Sequence, residues 1–198
     1  MAVEKPRYLV GLDLGKLRDY TAMTVTERLP AAEEGQEPQY NVRHIKRFPL
    51  GTDYVDIAGD VRTIMQRPPL DEGGELVVDA GGPGVPVIDL LRRMGLQLVS
   101  VSITGGEAVT RASRHEWHVP KQDLCTTVRL LMERDQLHVS NAFPEASVLQ
   151  SELRGFQMKR TPSSNLTFNA REGEHDDLVL CLAIALWWGE RPKGVFFA

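Results

Sequence analysis

The first part of the chain has the hydrophobic pattern of β-strands. Apolar and β-branched residues are concentrated in residues 7–15, 21–28 and 40–48, with a charged turn between the first two segments. This pattern predicts a hairpin followed by a third strand. The intervening residues 30–39 contain Pro, Gly and acids without periodicity, which predicts a solvated loop.

Helical and extended patterns alternate along the rest of the chain. Apolar residues at helical spacing predict helices over 53–67, 85–95, 121–135 and 145–156, and a final helix that begins near residue 175. Short apolar or extended runs predict strands within 75–84, 96–106, 136–140 and 157–172. This order predicts an α/β protein with a mixed central β-sheet, an initial antiparallel meander and helices on both faces. No change of composition divides the chain, so we expect a single domain over residues 1–198.

Composition adds limits to this picture. Of the 198 residues, 42% are hydrophobic and 25% are charged, which is ordinary for a globular domain. The net charge of −4 disfavours nucleic-acid binding through bulk charge, although an acidic protein can still carry a local basic face. The longest apolar run, residues 178–188, is too short to span a bilayer, and the N-terminus has no apolar leader. We therefore expect a cytoplasmic protein whose two cysteines are reduced.

Carboxylates interrupt the apolar pattern at three places. Asp13 lies in the first predicted strand, Asp79 ends the central strand, and Asp176 and Asp177 open the most apolar helix. Each has an ordinary structural explanation, as a strand terminator, a turn residue before glycines, or a pair of helix-capping acids. Open α/β sheets bind their ligands at the carboxyl ends of the strands. The coincidence of all three therefore indicates a functional site.

A cluster of aspartates at the edge of a sheet fits two-metal phosphodiester hydrolysis. Two divalent cations about 3.5–4 Å apart there bind the attacking and leaving oxygens of an in-line displacement. Mg²⁺ and Mn²⁺ prefer oxygen ligands, and their charge would offset the repulsion among the acids. His175, beside the helical pair, is either a ligand or proton donor or an exposed residue at the helix start. The sequence has no Cys/His zinc pattern, Walker-type phosphate loop or nucleophile elbow.

The segments that carry these acids resemble a known family. They are GLDLGKLRDYTAMTV at 11–25, ELVVDAGGPGVPVIDLLRRMG at 75–95 and GEHDDLVLCLAIALWW at 173–188. In this order they are similar to the ribonuclease H-like nucleases, and more specifically to the C-terminal nuclease domain of the large terminase subunit of tailed bacteriophages. The resemblance covers nearly the whole chain. It implies a ribonuclease H-like fold and a metal-dependent endonuclease that cuts concatemeric, double-stranded viral DNA with little sequence preference.

The resemblance also implies site residues, cofactors and partners. Carried over by matching motif, Asp13, Asp79 and Asp176 would hold two Mg²⁺ or Mn²⁺ ions, and the adjacent Asp177 could share that role. The implied partners are double-stranded DNA, a packaging ATPase domain, the small terminase subunit and the portal, with no membrane. We expect a nuclease domain without the ATPase, acting in the cytoplasm of the host cell.

Basic residues near the predicted acids are candidates for DNA contacts, because Arg and Lys make most contacts with phosphate. The candidates are Lys16, Arg18, Lys159, Arg160 and Arg171, each of which can also be an ordinary solvated charge. Arg43, Lys46 and Arg47 on the third predicted strand are either further contacts or protection of a sheet edge.

Three other functions share parts of this pattern. A Holliday-junction resolvase has the same fold and metal cluster but selects four-way junctions. A non-catalytic DNA-docking module of a packaging motor would use the acids only as caps and turn residues. A sugar-kinase or actin-like ATPase also has a Gly-x-Asp-x-Gly strand, but it needs a second such domain and no Asp-Asp helix start. Replacing Asp79 with Asn would stop a nuclease from cutting and leave a docking module unaffected.

Overall fold

The computed structural model describes residues 4–15, 19–33, 35–82, 84–156, 159–160, 166–167 and 176–191. Its strands are β1 (Arg7–Asp13), β2 (Ala22–Leu29), β3 (Gln39–Arg47), β4 (Glu75–Asp79), β5 (Leu98–Thr104), β6 (Thr110–Ser113), β7 (Glu116–Pro120), β8 (Leu137–His138), β9 (Lys159–Arg160) and β10 (Leu166–Thr167). Its helices are α1 (Tyr54–Met65), α2 (Gly84–Arg93), α3 (Lys121–Glu133), α4 (Ala146–Gly155) and α5 (Asp177–Gly189).

One mixed sheet organises these elements. Its strand order is β6–β7–β5–β4–β1–β2–β3–β8, and β9 pairs with β10 separately. The strands β1, β2 and β3 form an antiparallel meander, whereas β1, β4, β5 and β7 are mutually parallel neighbours. The predicted mixed α/β sheet with an initial meander is therefore confirmed.

The alternation of side chains along the strands assigns each helix to a face. Leu9 and Val77 pack in a cluster with α3, α4 and α5, whereas Val10 and Val78 pack on the opposite face with α1 and α2. Because successive side chains of a strand point to opposite faces, the ends of β1 and β4 direct Asp13 and Asp79 toward the face of α5.

The last helix lies directly against the centre of the sheet. Every residue of α5 except Leu180 is buried, and the helix contacts β1, β2, β4 and α3. At Gly11, a Cβ atom would lie 1.8 Å from the carbonyl oxygen of Cys181, so only glycine permits this approach of helix and strand. Because Gly11 has no side chain, α5 can approach β1 closely, and the beginning of α5 lies near the end of β1.

One part of the structure is missing from the sequence prediction. The β6–β7 hairpin was not predicted, because the side chains of β6 are all exposed and give no alternation of buried and polar positions. The final helix begins at Asp177, close to the predicted start near residue 175. Both cysteines are free thiols in the core, as expected. Among the residues described, no helix is long and apolar enough to cross a membrane.

Candidate metal centre

Asp13 and Asp79 are neighbours at the carboxyl ends of two parallel strands. The β1–β4 register pairs Leu12 with Val78, so the next residue of each strand is one of the two acids. Each carboxyl group changes the pKa of the other, so the two parallel strands place two acidic side chains side by side.

Burial raises the pKa of both acids. The pKa of Asp13 lies well above its usual value, and the charges of Asp79, Asp177 and Asp176 raise it further. For Asp79, hydrogen bonds from the backbone N–H groups of Gly81 and Ile103 oppose the rise. The other three predicted acids therefore lie close enough to Asp13 to raise its pKa.

The turn after β4 explains the position of Asp79. Its Oδ1 accepts a hydrogen bond of 2.9 Å from the backbone N–H of Gly81, as in an Asx-type turn. At Gly84, a Cβ atom would lie 2.5 Å from the carbonyl oxygen of Asp79, which accounts for the glycine where α2 begins. Asp79 thus forms the turn and also lies beside Asp13.

The start of α5 is capped by a residue from another helix. Asp176 occupies the N-cap position but makes no capping hydrogen bond. Instead, Oε2 of Glu152, on α4, accepts the N–H of Val179 at 2.9 Å. The capping explanation for Asp176 is therefore wrong, because Glu152 performs this task.

A partly buried arginine links the same glutamate to Asp177. Nη2 of Arg47, at the end of β3, lies 2.8 Å from Oδ2 of Asp177 and 3.1 Å from Oε1 of Glu152. Its guanidinium also lies 4.2 Å from the centroid of the Tyr20 ring. Burial raises the pKa of Glu152 to about 7, while the Val179 N–H and Arg47 favour its charged form. Arg47 therefore joins β3, α4 and the start of α5.

Asp176 has a different basic partner. Nζ of Lys121, the first residue of α3, lies 2.7 Å from Oδ2 of Asp176. Both side chains are partly exposed, at 21% and 26%. The charge of Lys121 also opposes the rise in the pKa of Asp79, so the ammonium group acts on this strand acid as well.

The donor chemistry of these acids fits a hard divalent cation. Carboxylate oxygens from two strands and one helix are the ligands that Mg²⁺ and Mn²⁺ prefer, and a cation would offset the negative charges that, with burial, raise the pKa of Asp13. Within the described part of the chain, no group of three or more such side chains has the geometry of a metal site as the side chains stand. Lys121 and Arg47 instead hold Asp176 and Asp177.

The other predicted site residues have varied outcomes. Lys16, Arg18, Arg171 and His175 lie outside the described residues, and only the backbone of Lys159 and Arg160, in β9, is described. Of the basic residues of β3, Arg43 pairs with Glu27 and Lys46 pairs with Asp60. Arg47 does not protect an edge, since it contacts the acids.

Sequence reasoning did not identify Lys121 and Glu152 as residues of this site. Glu152 did leave a signal, because it follows the buried Leu149 by three positions and so places an acid on the buried face of α4. Lys121 left no such signal, because a lysine at a helix start is usually solvated.

The central mixed sheet with helices on both faces is a ribonuclease H-like fold, the fold of the solved structures to which this chain is similar. No protein-family model matches the chain. The crystal structure of the large terminase nuclease from the thermophilic phage G20c has a TM-score of 0.67 at 23% identity, covering 95% of this chain and 84% of that one. Structures of that nuclease with bound magnesium and with bound cobalt each have a TM-score of 0.66 at 24% identity, covering 92% of this chain and 81% of the other.

Sequence similarity extends to curated proteins as well. The large terminase subunits of Thermus phage G20c and Thermus virus P23-45 are each 26% identical to this chain over 191 residues. The match covers 96% of this chain but 33% of each relative, so the chain spans about a third of their length. The resemblance to the nuclease domain of the terminase large subunit is confirmed.

Proposed function

We propose that this chain is a metal-dependent endonuclease that hydrolyses phosphodiester bonds of double-stranded DNA with little sequence specificity. Asp13, Asp79, Asp176 and Asp177 would hold two divalent cations, Mg²⁺ or Mn²⁺. The observation that carries the proposal is the position of Asp13 and Asp79 at adjacent carboxyl ends of β1 and β4, against which the helix that begins with Asp176 and Asp177 packs. Magnesium and cobalt in the structures of the G20c nuclease support a divalent cation.

The protein's own residues would prepare the site for this chemistry. When bound, a pair of divalent cations supplies an activated water and stabilises charge on the phosphate. Burial raises the pKa of Asp13, and the positive charge of a nearby cation would favour the charged form of this carboxyl group that can act as a ligand. Arg47 and Glu152 hold the start of α5, which keeps Asp177 near the strand pair.

The wider setting of this activity is also a proposal. By their terminase similarity, residues 1–198 would be the nuclease domain that works with a packaging ATPase domain, a small terminase subunit and a portal. Lys16, Arg18, Lys159, Arg160 and Arg171 remain the proposed contacts with DNA phosphate, because their sequence neighbours include the acids and the β9–β10 pair.

Cleavage of supercoiled plasmid tests the proposal. We expect nicking and linearisation in Mg²⁺ or Mn²⁺, none in EDTA, and none with Asp13→Ala or Asp79→Asn. Loss of a metal ligand should reduce the rate by more than the roughly 10- to 100-fold typical of residues that support ligands. Asp60→Asn is the matched control, because that acid lies on α1 and pairs only with Lys46 among the described contacts.

The folded state of each variant can be verified from its tryptophan fluorescence. The three tryptophans, Trp117, Trp187 and Trp188, form one aromatic group whose ring centroids are 5.9–6.4 Å apart. Intact plasmid in every metal condition, with native fluorescence, would contradict nuclease activity of this chain. Plasmid binding that survives in Asp79→Asn without any cleavage in the parent protein would instead favour the docking module.

A further inference from the structure

Lys121 and Arg47 both neutralise acids of the candidate centre, but their surroundings differ. Arg47 contacts two carboxylates and stacks on Tyr20, and its side chain is 18% exposed. The only carboxylate described in contact with Lys121 is Asp176, and both members of that pair are reached by solvent. A planar guanidinium held on three sides cannot leave without breaking several contacts, whereas an ammonium on a flexible stem can move.

The position of Lys121 allows such a movement. Lys121 is the first residue of α3, so no preceding turn of the helix restricts its side chain. Its Nζ lies 5.7 Å from the centroid of the Phe156 ring, which offers the cation an alternative weak interaction. The stem of Lys121 can therefore turn while the helix itself stays in place.

A bound divalent cation and the Lys121 ammonium would compete for the same oxygen. Oδ2 of Asp176 accepts from Nζ at 2.7 Å, a charge-assisted hydrogen bond. A cation at this oxygen would lie next to a second positive charge in a partly buried site, where repulsion is weakly screened. The repulsion favours the departure of Lys121, whose only described carboxylate contact is Asp176.

We propose that Lys121 is a positioning residue that holds Asp176 until a divalent cation displaces it, and so raises the cation concentration at which the site fills. This inference rests on the proposed function, because it takes Asp176 to be a metal ligand. Arg47 has a different role, because its contacts with Glu152 and the Tyr20 ring hold its guanidinium in place independently of Asp177. Lys121 thus regulates the filling of the site, and Arg47 maintains its structure.

Chemical labelling of lysines tests the displacement directly. The full chain is acetylated with an N-hydroxysuccinimide ester with or without Mg²⁺, and each lysine is quantified by mass spectrometry. We expect labelling of Lys121 to rise with Mg²⁺, because its ammonium leaves Asp176. Lys46 is the internal control, since it makes a comparable pair of 2.6 Å with Asp60 on α1. Its labelling should stay constant.

Calorimetry with Mg²⁺ or Mn²⁺ provides the second measurement. Lys121→Met keeps an unbranched side chain but removes the competing charge, so we expect cation binding about two- to fivefold tighter than in the parent protein. Arg129→Met on the same helix should bind cations like the parent, because its pair with Glu133 is exposed at the surface.

The outcomes separate this inference from the proposed function. Cation binding by the parent protein, with unchanged Lys121 labelling or no gain in affinity for Lys121→Met, would overturn the role of Lys121 and leave the metal centre intact. Absence of Mg²⁺ and Mn²⁺ binding in the parent protein would overturn the proposed metal centre, and the role of Lys121 with it.

Discussion

Helix α5 contacts an arginine at its carboxyl-terminal end and lies beside a group of acids at its amino-terminal end. Nη1 of Arg7 donates to the carbonyl oxygens of Gly189 and Arg191, at 2.9 and 3.0 Å. Arg7 also donates to both carboxylate oxygens of Glu75, which in turn accepts a hydrogen bond from Nε1 of Trp188. A cation at a helix C-terminus and a carboxylate beside that cation are both favourable.

At the amino-terminal end of α5, positive and negative charges are not matched in this way. Its described carboxyl groups outnumber its described basic partners, and burial raises the pKa of several of these acids. The acids are Asp13, Asp79, Glu152, Asp176 and Asp177, and the basic partners are Arg47 and Lys121. The two ends of one buried helix thus differ in charge balance: matched charges stabilise the fold at one end, and we propose that the excess of acid at the other end binds cations.

Removing Arg7 takes the positive charge away from the carboxyl-terminal end of α5, and this change should reduce the stability of the protein most. We expect Arg7→Met to lower the free energy of unfolding by about 3–5 kcal/mol, because it leaves Glu75 buried without its partner. Urea denaturation followed by tryptophan fluorescence measures the loss, which should be equal with and without Mg²⁺. Arg92→Met is the control and should cost less than about 1 kcal/mol, since its pair with Glu116 is exposed. A loss that Mg²⁺ restores would contradict the separation of the two ends.

The excess of acids at the amino-terminal end of α5 should make the stability of the protein depend on pH. The pKa of Glu152 rises from 4.5 to about 7 in the folded protein, so the folded state binds the proton more tightly than the unfolded state does. This contribution is complete below about pH 4.5 and is lost as the pH rises to about 7, by at most about 3 kcal/mol. Thermal unfolding in EDTA from pH 4.5 to 8 should show the decline. Glu152→Gln should flatten it, and an equal slope in that variant would refute the assignment.

Moving the helix tests whether its contact with β1 aligns the acids. Gly11→Ala would place a Cβ atom 1.8 Å from the Cys181 carbonyl oxygen, so α5 must shift, at a cost of about 1–3 kcal/mol. We expect Mg²⁺ affinity to fall as well, as measured by calorimetry. Gly59→Ala is the control, because nothing lies within 4 Å of its Cβ position and a helical alanine adds about 0.5–1 kcal/mol of stability. Unchanged Mg²⁺ affinity in Gly11→Ala would show that the alignment tolerates the shift.

Replacing Asp13 at the acidic, amino-terminal end of α5 should change the free energy of unfolding least. This change should be stabilising, whereas removal of Arg7 is destabilising. We expect Asp13→Asn to stabilise the protein in EDTA by about 1 kcal/mol, because burial disfavours the charged form of Asp13. The same variant should lose the rise in melting temperature that Mg²⁺ produces in the parent protein. Differential scanning fluorimetry measures both. A lower melting temperature in EDTA would show that Asp13 stabilises the fold by itself.

Much of the fold was predictable because it depends on local patterns. The strands β1 to β3 and the five helices were predicted from alternation and helical spacing, with shifts of a few residues at their ends. The β6–β7 hairpin was not, because its first strand has no buried side chain. Asp13, Asp79, Asp176 and Asp177 were found because acids stand out within apolar segments, although their role as metal ligands remains a proposal.

The sequence by itself determined the order of the elements and the chemistry available at the carboxyl ends of β1 and β4, because both depend on nearest neighbours along the chain. Only the tertiary structure decided which basic side chain contacts which acid. Arg47 and Asp177 are 130 residues apart in sequence, and Lys121 and Asp176 are 55 apart. Such pairs form only where α5 packs on the sheet between α3, α4 and β3, and no periodicity along the chain records that packing.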